Sequence, residues 1–158
     1  MSFARLLISI ALACCAAAAA AQSLTPRPGW EIHATSKPYP LLISDLKTAV
    51  KAQGLIVVTQ AGPTKAAATR GITIPGNRVL GVFNNDYAVK VLETSTAAMI
   101  EAPIRFYVTE GANGSATLSY KTPSHVFAPY LNEGGDALAA LARQLDADFA
   151  AIAAAATR

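Results

Sequence analysis

Residues 104–121 read IRFYVTEGANGSATLSYK, and this stretch decides the fold. Apolar residues alternate with polar ones on both sides of a glycine-containing turn: Ile104, Phe106, Val108, then Ala116, Leu118 and Tyr120. This pattern predicts an antiparallel β-hairpin. Directly opposed residues of such a pair share a face. A three-residue turn over Ala112-Asn113-Gly114 places Val108 opposite Leu118, whereas a four-residue turn would place Val108 opposite Thr117 and mix the faces. We therefore predict the three-residue turn, with Gly114 in the left-handed conformation.

The second face of this hairpin is rich in hydroxyl, aromatic and cationic side chains: Arg105, Tyr107, Thr109, Thr117, Ser119 and Lys121. The predicted register sets Arg105 opposite Lys121, and like charges in that position repel each other. Two explanations stay open. The face is either simply solvated, or a carboxylate or a bound anion bridges Arg105 and Lys121.

Upstream of the hairpin, periodicity and turn residues predict the following elements in order. They are a half-buried strand over 30–34 with His33 on its polar side, a helix over 41–53 ended by Gly54, an interior strand over 55–59, a loop over 61–76 with one helical turn near 65–69, and a short strand over 79–83. Asn84-Asn85-Asp86 then predicts a cap for a helix over 87–93, because short polar side chains accept hydrogen bonds from free backbone N–H groups.

The chain closes with a predicted amphipathic helix from about Asp136. Its apolar residues recur at spacings of three and four, as on one face of a helix: Leu138, Leu141, Leu145, Phe149 and Ile152.

The N-terminus has the three regions of a secretory signal peptide over 1–21: Arg5, an apolar run and an alanine-rich cleavage site. We expect export, to a periplasmic or extracellular location, with no stable membrane span after cleavage. The alternative is a lipid anchor through Cys14, although Ala11 stands where a lipobox usually has leucine. Cys14 and Cys15 both lie in this leader, so the mature chain is predicted to have no disulfide.

Composition bounds the remaining possibilities. The formal charge of +3 becomes +2 when Arg5 leaves, and the basic residues are scattered, which argues against nucleic acid as a partner. The predicted organisation is the leader over 1–21, an irregular lead-in with the first strand over 22–40, and a single α+β domain over 41–158.

Three phrases of the sequence resemble a known family. GVFNNDYAVKVLE (81–93), EAPIRFYVTE (101–110) and ATLSYKTPSHVFAPY (116–130), with the closing helix, are similar to the exported proteobacterial branch of the domain of unknown function 302 family. The resemblance covers about 41–152. It implies a two-layer α+β fold like that of the TATA-binding protein, with a curved antiparallel sheet and two main helices on one face. It also implies a homodimer. No biochemical activity follows from the resemblance. This chain has GVFNND where cytoplasmic members carry a shorter phrase.

Catalytic and metal motifs find little support in the sequence. The glycines of Gly76–Gly81 are followed by Val82 and Phe83 rather than by the lysine and hydroxyl residue of a phosphate-binding loop. Ser124 and His125 are adjacent, so their side chains should point apart, and the ligand spacings of zinc sites do not occur. We expect no metal or other cofactor.

The leading hypothesis is therefore a non-enzymatic binding or assembly module, dimeric, with a small anionic ligand possible. The residues predicted to form its surface are Arg78, Asn85, Asp86, Tyr87, Glu101, Arg105, Tyr107, Lys121 and His125. Glu101 is expected to pair with Arg105 or Arg78. Two alternatives remain open: a hydrolase or isomerase using Glu101, Asp86 or His125 as acid or base, and a metal- or haem-dependent redox accessory.

Overall fold

The structure, a computed structural model, describes residues 24–158, so the predicted leader with Cys14 lies outside the described residues. Its strands form one antiparallel sheet in the order β1-β5-β4-β3-β2. The strands are β1 (Trp30–Pro38), β2 (Ile56–Ala61), β3 (Asn77–Phe83), β4 (Ile104–Glu110) and β5 (Ser115–Lys121). The predicted antiparallel α+β fold is thus confirmed.

Helices pack on one face of this sheet. They are α1 (Tyr39–Ala52), α2 (Thr64–Ala68), α3 (Asn85–Thr94), α4 (Pro123–Phe127) and α5 (Leu131–Thr157), with 3-10 turns at Ala97–Glu101 and Ala128–Tyr130. The two main helices, α1 and α5, contact each other and the sheet. We call the face beneath them the covered face and the opposite one the exposed face. Within residues 24–158, no helix combines the length and apolarity that a membrane crossing requires.

The hairpin of β4 and β5 has the predicted register. Val108 lies opposite Leu118 and Phe106 opposite Tyr120. Gly114 has a φ of 79°, the left-handed conformation that the three-residue turn requires. The alternating residues of both strands consequently reach the covered face.

An aromatic cluster joins the two layers. Phe106 of β4 stacks on Phe149 of α5 with ring centres 4.5 Å apart, and Tyr120 of β5 contacts both rings. Phe106 and Phe149 are at most 1% exposed, and Leu42 and Leu46 of α1 extend the same core. Burial of these large side chains is the main stabilisation of the two-layer arrangement.

The last helix contains one break. Gly135 has φ 54° and ψ −150°, so the first turn from Leu131 is kinked relative to the rest of α5. A non-glycine residue would be strained in this conformation. The continuous helix therefore begins where the sequence pattern predicted, at about Asp136.

The prediction of an interior strand over 55–59 is wrong. The strand is β2, Ile56–Ala61, and it lies at the edge of the sheet. Only Leu55, just before it, is buried, whereas Ile56 is 59% and Val58 46% exposed. A run of apolar residues indicates strand structure but does not say whether a second strand pairs with its outer edge.

The side of β1 that carries His33, polar by its sequence pattern, does not lie on the exposed face. Trp30 lies opposite Lys121, but His33 lies opposite Leu118, which is on the covered face. The His33 ring stacks on Tyr120 at 6.0 Å. Trp30, the large apolar residue of β1, lies on the exposed face. The apolar side of this strand therefore faces outwards, and its polar side, with His33, faces the helices.

Candidate functional site

A groove of about 420 Å³ crosses the exposed face and bends around one end of the sheet. Its volume lies within the range of roughly 300–1,000 Å³ that is usual for small-molecule sites. The lining residues are Trp30, Asn77, Val79, Glu101, Ile104, Arg105, Tyr107, Tyr120, Lys121 and Val126. Strands β1, β3, β4 and β5 therefore all contribute to it, with α4 and the 97–101 turn forming its rim.

Trp30 and Lys121 form one corner of the groove. They are paired across β1 and β5, and the Lys121 Nζ lies 5.9 Å from the centre of the Trp30 ring. Arg27 approaches the same ring at 5.4 Å. The negative face of an indole attracts cations at such distances. Trp30 thus gives Lys121 a partner that the sequence did not suggest.

Arg105 and Lys121 are both exposed, and the residues described contain no carboxylate that bridges them. The ion pair formed within residues 24–158 is Lys37–Asp45, at the other side of the molecule. The bridging carboxylate considered for the two cations is therefore not observed. Two positive charges remain available at the groove.

Tyr107 lies in the middle of the groove, opposite Val79 of β3 and Ser119 of β5. The Asn77 amide donates a hydrogen bond of 2.6 Å to the Tyr107 hydroxyl. Because this bond uses the hydroxyl oxygen as acceptor, the O–H hydrogen is left to donate to a group in the groove.

Glu101 closes the rim next to α4. Its carboxylate accepts a hydrogen bond of 2.7 Å from the Tyr130 hydroxyl, and this bond is the first cause of the raised pKa of Tyr130. The expected pairing of Glu101 with Arg105 or Arg78 is wrong, because the 3-10 turn directs Glu101 towards the segment after α4.

The segment after Glu101 crosses closely over the sheet. The Ala102–Pro103 peptide bond is cis, and a Cβ at Gly81 would lie 2.7 Å from Pro103 Cγ. Only glycine allows this approach of a proline ring to a central strand. Gly81 therefore lets the chain enter β4 with Arg105 on the exposed face.

The other predicted surface residues lie away from this groove. Arg78 is opposite Val108, on the covered side of β3. Asn85 and Asp86 are exposed in the first turn of α3, whose cap is Asn84 accepting from the Tyr87 N–H at 3.1 Å. The cap prediction is confirmed for Asn84.

Tyr87 instead joins the helices. Its hydroxyl donates a hydrogen bond of 2.5 Å to Asp148 of α5. Burial, followed by this hydrogen bond, raises the pKa of Tyr87 to about 12. The residue therefore serves the packing of α3 on α5.

His125 is exposed on α4, with its ring over the backbone of Gly29. The neighbouring Ser124 hydroxyl donates to Asp146, so the two side chains point apart as predicted. Within residues 24–158, no hydrogen bond joins any two of Glu101, Asp86 and His125. The same residues contain no group of three or more histidine, cysteine or acidic side chains placed to hold a metal ion.

Sequence reasoning thus identified Glu101, Arg105, Tyr107 and Lys121, and missed the remaining wall of the groove. Trp30 and Asn77 come from distant parts of the chain, and only strand pairing brings them to the hairpin, whereas Val126 lies on α4, soon after β5. The one available indication was that Trp30 is the single tryptophan of the chain.

Comparison with known proteins places the fold. No curated protein matches the chain. A crystal structure of a conserved DUF302 protein from Bacillus stearothermophilus superimposes with a TM-score of 0.72 at 20% sequence identity, over 84% of this chain and 100% of the other. At that identity the likeness concerns the fold. The family model described as "Domain of unknown function DUF302" matches residues 31–156, nearly all of the residues described. The chain therefore belongs to the DUF302 family.

Proposed function

We propose that this protein is a binding module whose exposed sheet face takes a small organic anion. One observation carries the proposal: the groove of about 420 Å³ has an aromatic ring and two cations on the same surface, and neither cation has a carboxylate partner among residues 24–158. The descriptions of the family and of the similar structure name no ligand and no reaction, so the chemistry of the groove is the basis for the choice.

The polar groups of the groove select for an acceptor. Arg105 and Lys121 can only donate hydrogen bonds, and the Tyr107 hydroxyl has its hydrogen free. Glu101 accepts a hydrogen bond from Tyr130 through Oε1 but keeps its negative charge, so an anion is directed away from this rim of the groove. A carboxylate matches these donors, and charge-assisted hydrogen bonds of this kind are the strong ones.

The apolar groups of the groove favour a ligand whose remaining part is apolar and small. Trp30 presents a ring at one end, and Val79 and Val126 line the walls. Apolar walls with a few converging polar groups are typical of small-molecule sites. The expected ligand is therefore a monocarboxylate with an apolar or aromatic part.

Titration calorimetry with a panel of aliphatic and aromatic monocarboxylates tests the proposal. Arg105→Ala and Lys121→Ala should each weaken binding by roughly 10- to 100-fold, because each removes a charge-assisted hydrogen bond of about 1.5–3 kcal/mol. Lys51→Ala is the matched control, since Lys51 is an exposed lysine at the end of α1, in the helical layer. Equal affinity for the wild type and for a variant carrying both Arg105→Ala and Lys121→Ala, or no binding of any carboxylate at millimolar concentration, would contradict the proposal.

The compartment belongs to the same proposal. The leader-like residues 1–21 support export and cleavage after Ala21, with lipidation of Cys14 as the alternative. Intact mass spectrometry of the protein recovered from its producing cells distinguishes the two, because a cleaved chain starts at Gln22 and a lipoprotein retains a modified cysteine. A full-length unmodified chain in the cytoplasm would contradict export.

A second candidate function is self-assembly, and the edge strand β2 favours it. No strand within residues 24–158 pairs with the outer edge of β2, Ile56–Ala61 contains no charged residue, and Ile56 and Val58 are exposed. Such an edge is a template for pairing with a second chain. A homodimer joined through β2 should become monomeric in Val58→Lys, as measured by light scattering. Glu93→Lys, on exposed α3, is the control, and a dimer unchanged by Val58→Lys would exclude this edge.

A further inference from the structure

A second, apolar cavity of about 40 Å³ lies on the covered side of the sheet, beneath α3. Its walls are mainly apolar and include Val82, Val91, Phe127 and Phe149, with Asn84 and Tyr87 as polar lining residues. A mainly apolar lining favours apolar groups, because their surface is removed from water there. At roughly 10–15 Å³ for each water-sized group, this cavity has room for about three, which corresponds to a short piece of hydrocarbon chain.

The apolar cavity and the groove share a wall. Ile104, the first residue of β4, lines both. On one side of it, Glu101 lines the groove and the adjacent Ala102 lines the cavity. On the other side, Val126 lines the groove and the adjacent Phe127 lines the cavity. Two segments of the chain thus have one residue on each space, and Ile104 lies at the boundary between the two spaces.

We propose that the groove and the apolar cavity are two halves of one site for a straight-chain carboxylate. The carboxylate lies at Arg105 and Lys121, the first methylenes follow Trp30 and Val126, and the end of the chain passes Ile104 into the apolar cavity. This inference rests on the proposed function, and it adds the class of ligand and the role of Ile104 as the gate. Passage requires Ile104 to change rotamer.

Chain length is the variable that tests it. Affinities of the full chain for butanoate, hexanoate, octanoate and decanoate should rise by about fourfold for each buried methylene. The rise should stop once the cavity is filled, because further carbons find no apolar wall.

Ala88→Leu fills the apolar cavity from α3, where Ala88 is a buried wall residue. We expect this variant to bind butanoate like the wild type and to lose the gain for longer chains, by roughly tenfold or more for decanoate. Ala151→Leu, at an exposed position of α5, is the matched control. Ile104→Val is a milder second change. It widens the gate, and it should strengthen binding of the long chains only.

The outcomes separate this inference from the proposed function. Binding that depends on Arg105 but is independent of chain length, or a chain-length gain that survives in Ala88→Leu and is unchanged in Ile104→Val, overturns the two-part site and leaves the anion groove. Failure of every carboxylate to bind overturns both. If Ala88→Leu does not fold, the wild-type length series and Ile104→Val decide alone.

Discussion

His33 is a half-buried residue with one nitrogen shielded from solvent. Its Nε2 is buried and has no hydrogen-bond partner among residues 24–158, while its ring stacks on Tyr120. A buried group left unpaired costs roughly 1–3 kcal/mol. His33→Phe keeps a stacked ring and removes this cost, so we expect the free energy of unfolding to rise by about 1 kcal/mol in urea denaturation.

The control for this change is His125→Phe, because His125 is exposed and should tolerate substitution with little effect. A loss of stability in His33→Phe by more than about 1 kcal/mol would show that the nitrogen has a role that the folded chain alone does not reveal.

Burial of Tyr87, followed by its hydrogen bond to Asp148, makes stability depend on alkaline pH. The pKa of Tyr87 is raised from 10.0 to about 12 in the folded chain. Below pH 10 both states keep the proton, so the contribution is complete. Between pH 10 and 12 the unfolded state loses its proton first, and the contribution disappears.

Tyr87→Phe should therefore lower stability by about 1 kcal/mol at pH 8, and the difference from the wild type should shrink towards pH 12. Urea unfolding at pH 8, 10 and 11.5 measures this. Because burial also raises the pKa of Tyr120 to about 12, the wild type and the variant share a second alkaline loss, and only their difference is informative. A constant difference across this range would contradict the assignment.

For single residues, the sequence pattern predicted those site residues that lie close together in the chain. Arg105, Tyr107 and Lys121 belong to one hairpin, and the turn fixes their register within a few residues. Trp30 and Asn77 reach the same groove through pairing with strands distant in sequence. No short-range rule contains that information, since it depends on the order of strands in the sheet.

Among the elements, Lys37 connects three. Its ammonium pairs with Asp45 of α1 at 2.5 Å and donates to the Ala156 carbonyl near the end of α5 at 2.8 Å. Lys37 itself stands at the end of β1. A cation at a helix C-terminus is also favourable for the helix dipole.

We expect Lys37→Met to lower the free energy of unfolding by roughly 1–2 kcal/mol. The lysine side chain is only 17% exposed, so solvent screens the contact less than on an open surface. Lys51→Met is the matched control, at an exposed site on α1. Equal stability of the two variants, measured by urea denaturation, would reduce the contact to an ordinary surface pair.

The elements themselves were largely predictable, because each has its own period and its own ends. Asn84 caps α3, Gly54 follows α1 and Gly135 precedes the regular part of α5. The strand β2 shows what such a pattern does not predict. Its apolar residues gave the correct element and the wrong environment, since an exposed edge and a buried centre can share one composition.

For the whole molecule, the decisive contact is the one between the layers, and Phe149 is its centre. The residue is 1% exposed, stacks on Phe106 and also lines the apolar cavity. Phe149→Ala should cost about 3–5 kcal/mol, a large part of the 5–15 kcal/mol usual for a domain. Leu131→Ala, at a partly exposed position before the kink, should cost far less.

Phe149→Ala also tests whether the helical layer and the sheet keep their separation when the Phe149 ring is removed. If they do, the enlarged cavity remains dry and binds benzene, which raises the melting temperature of Phe149→Ala because ligand binding to the folded state stabilises it. The wild type, whose cavity measures about 40 Å³, should show no such rise. If benzene has no effect on the variant, α5 has collapsed onto the sheet, and the separation of the layers depends on this one side chain.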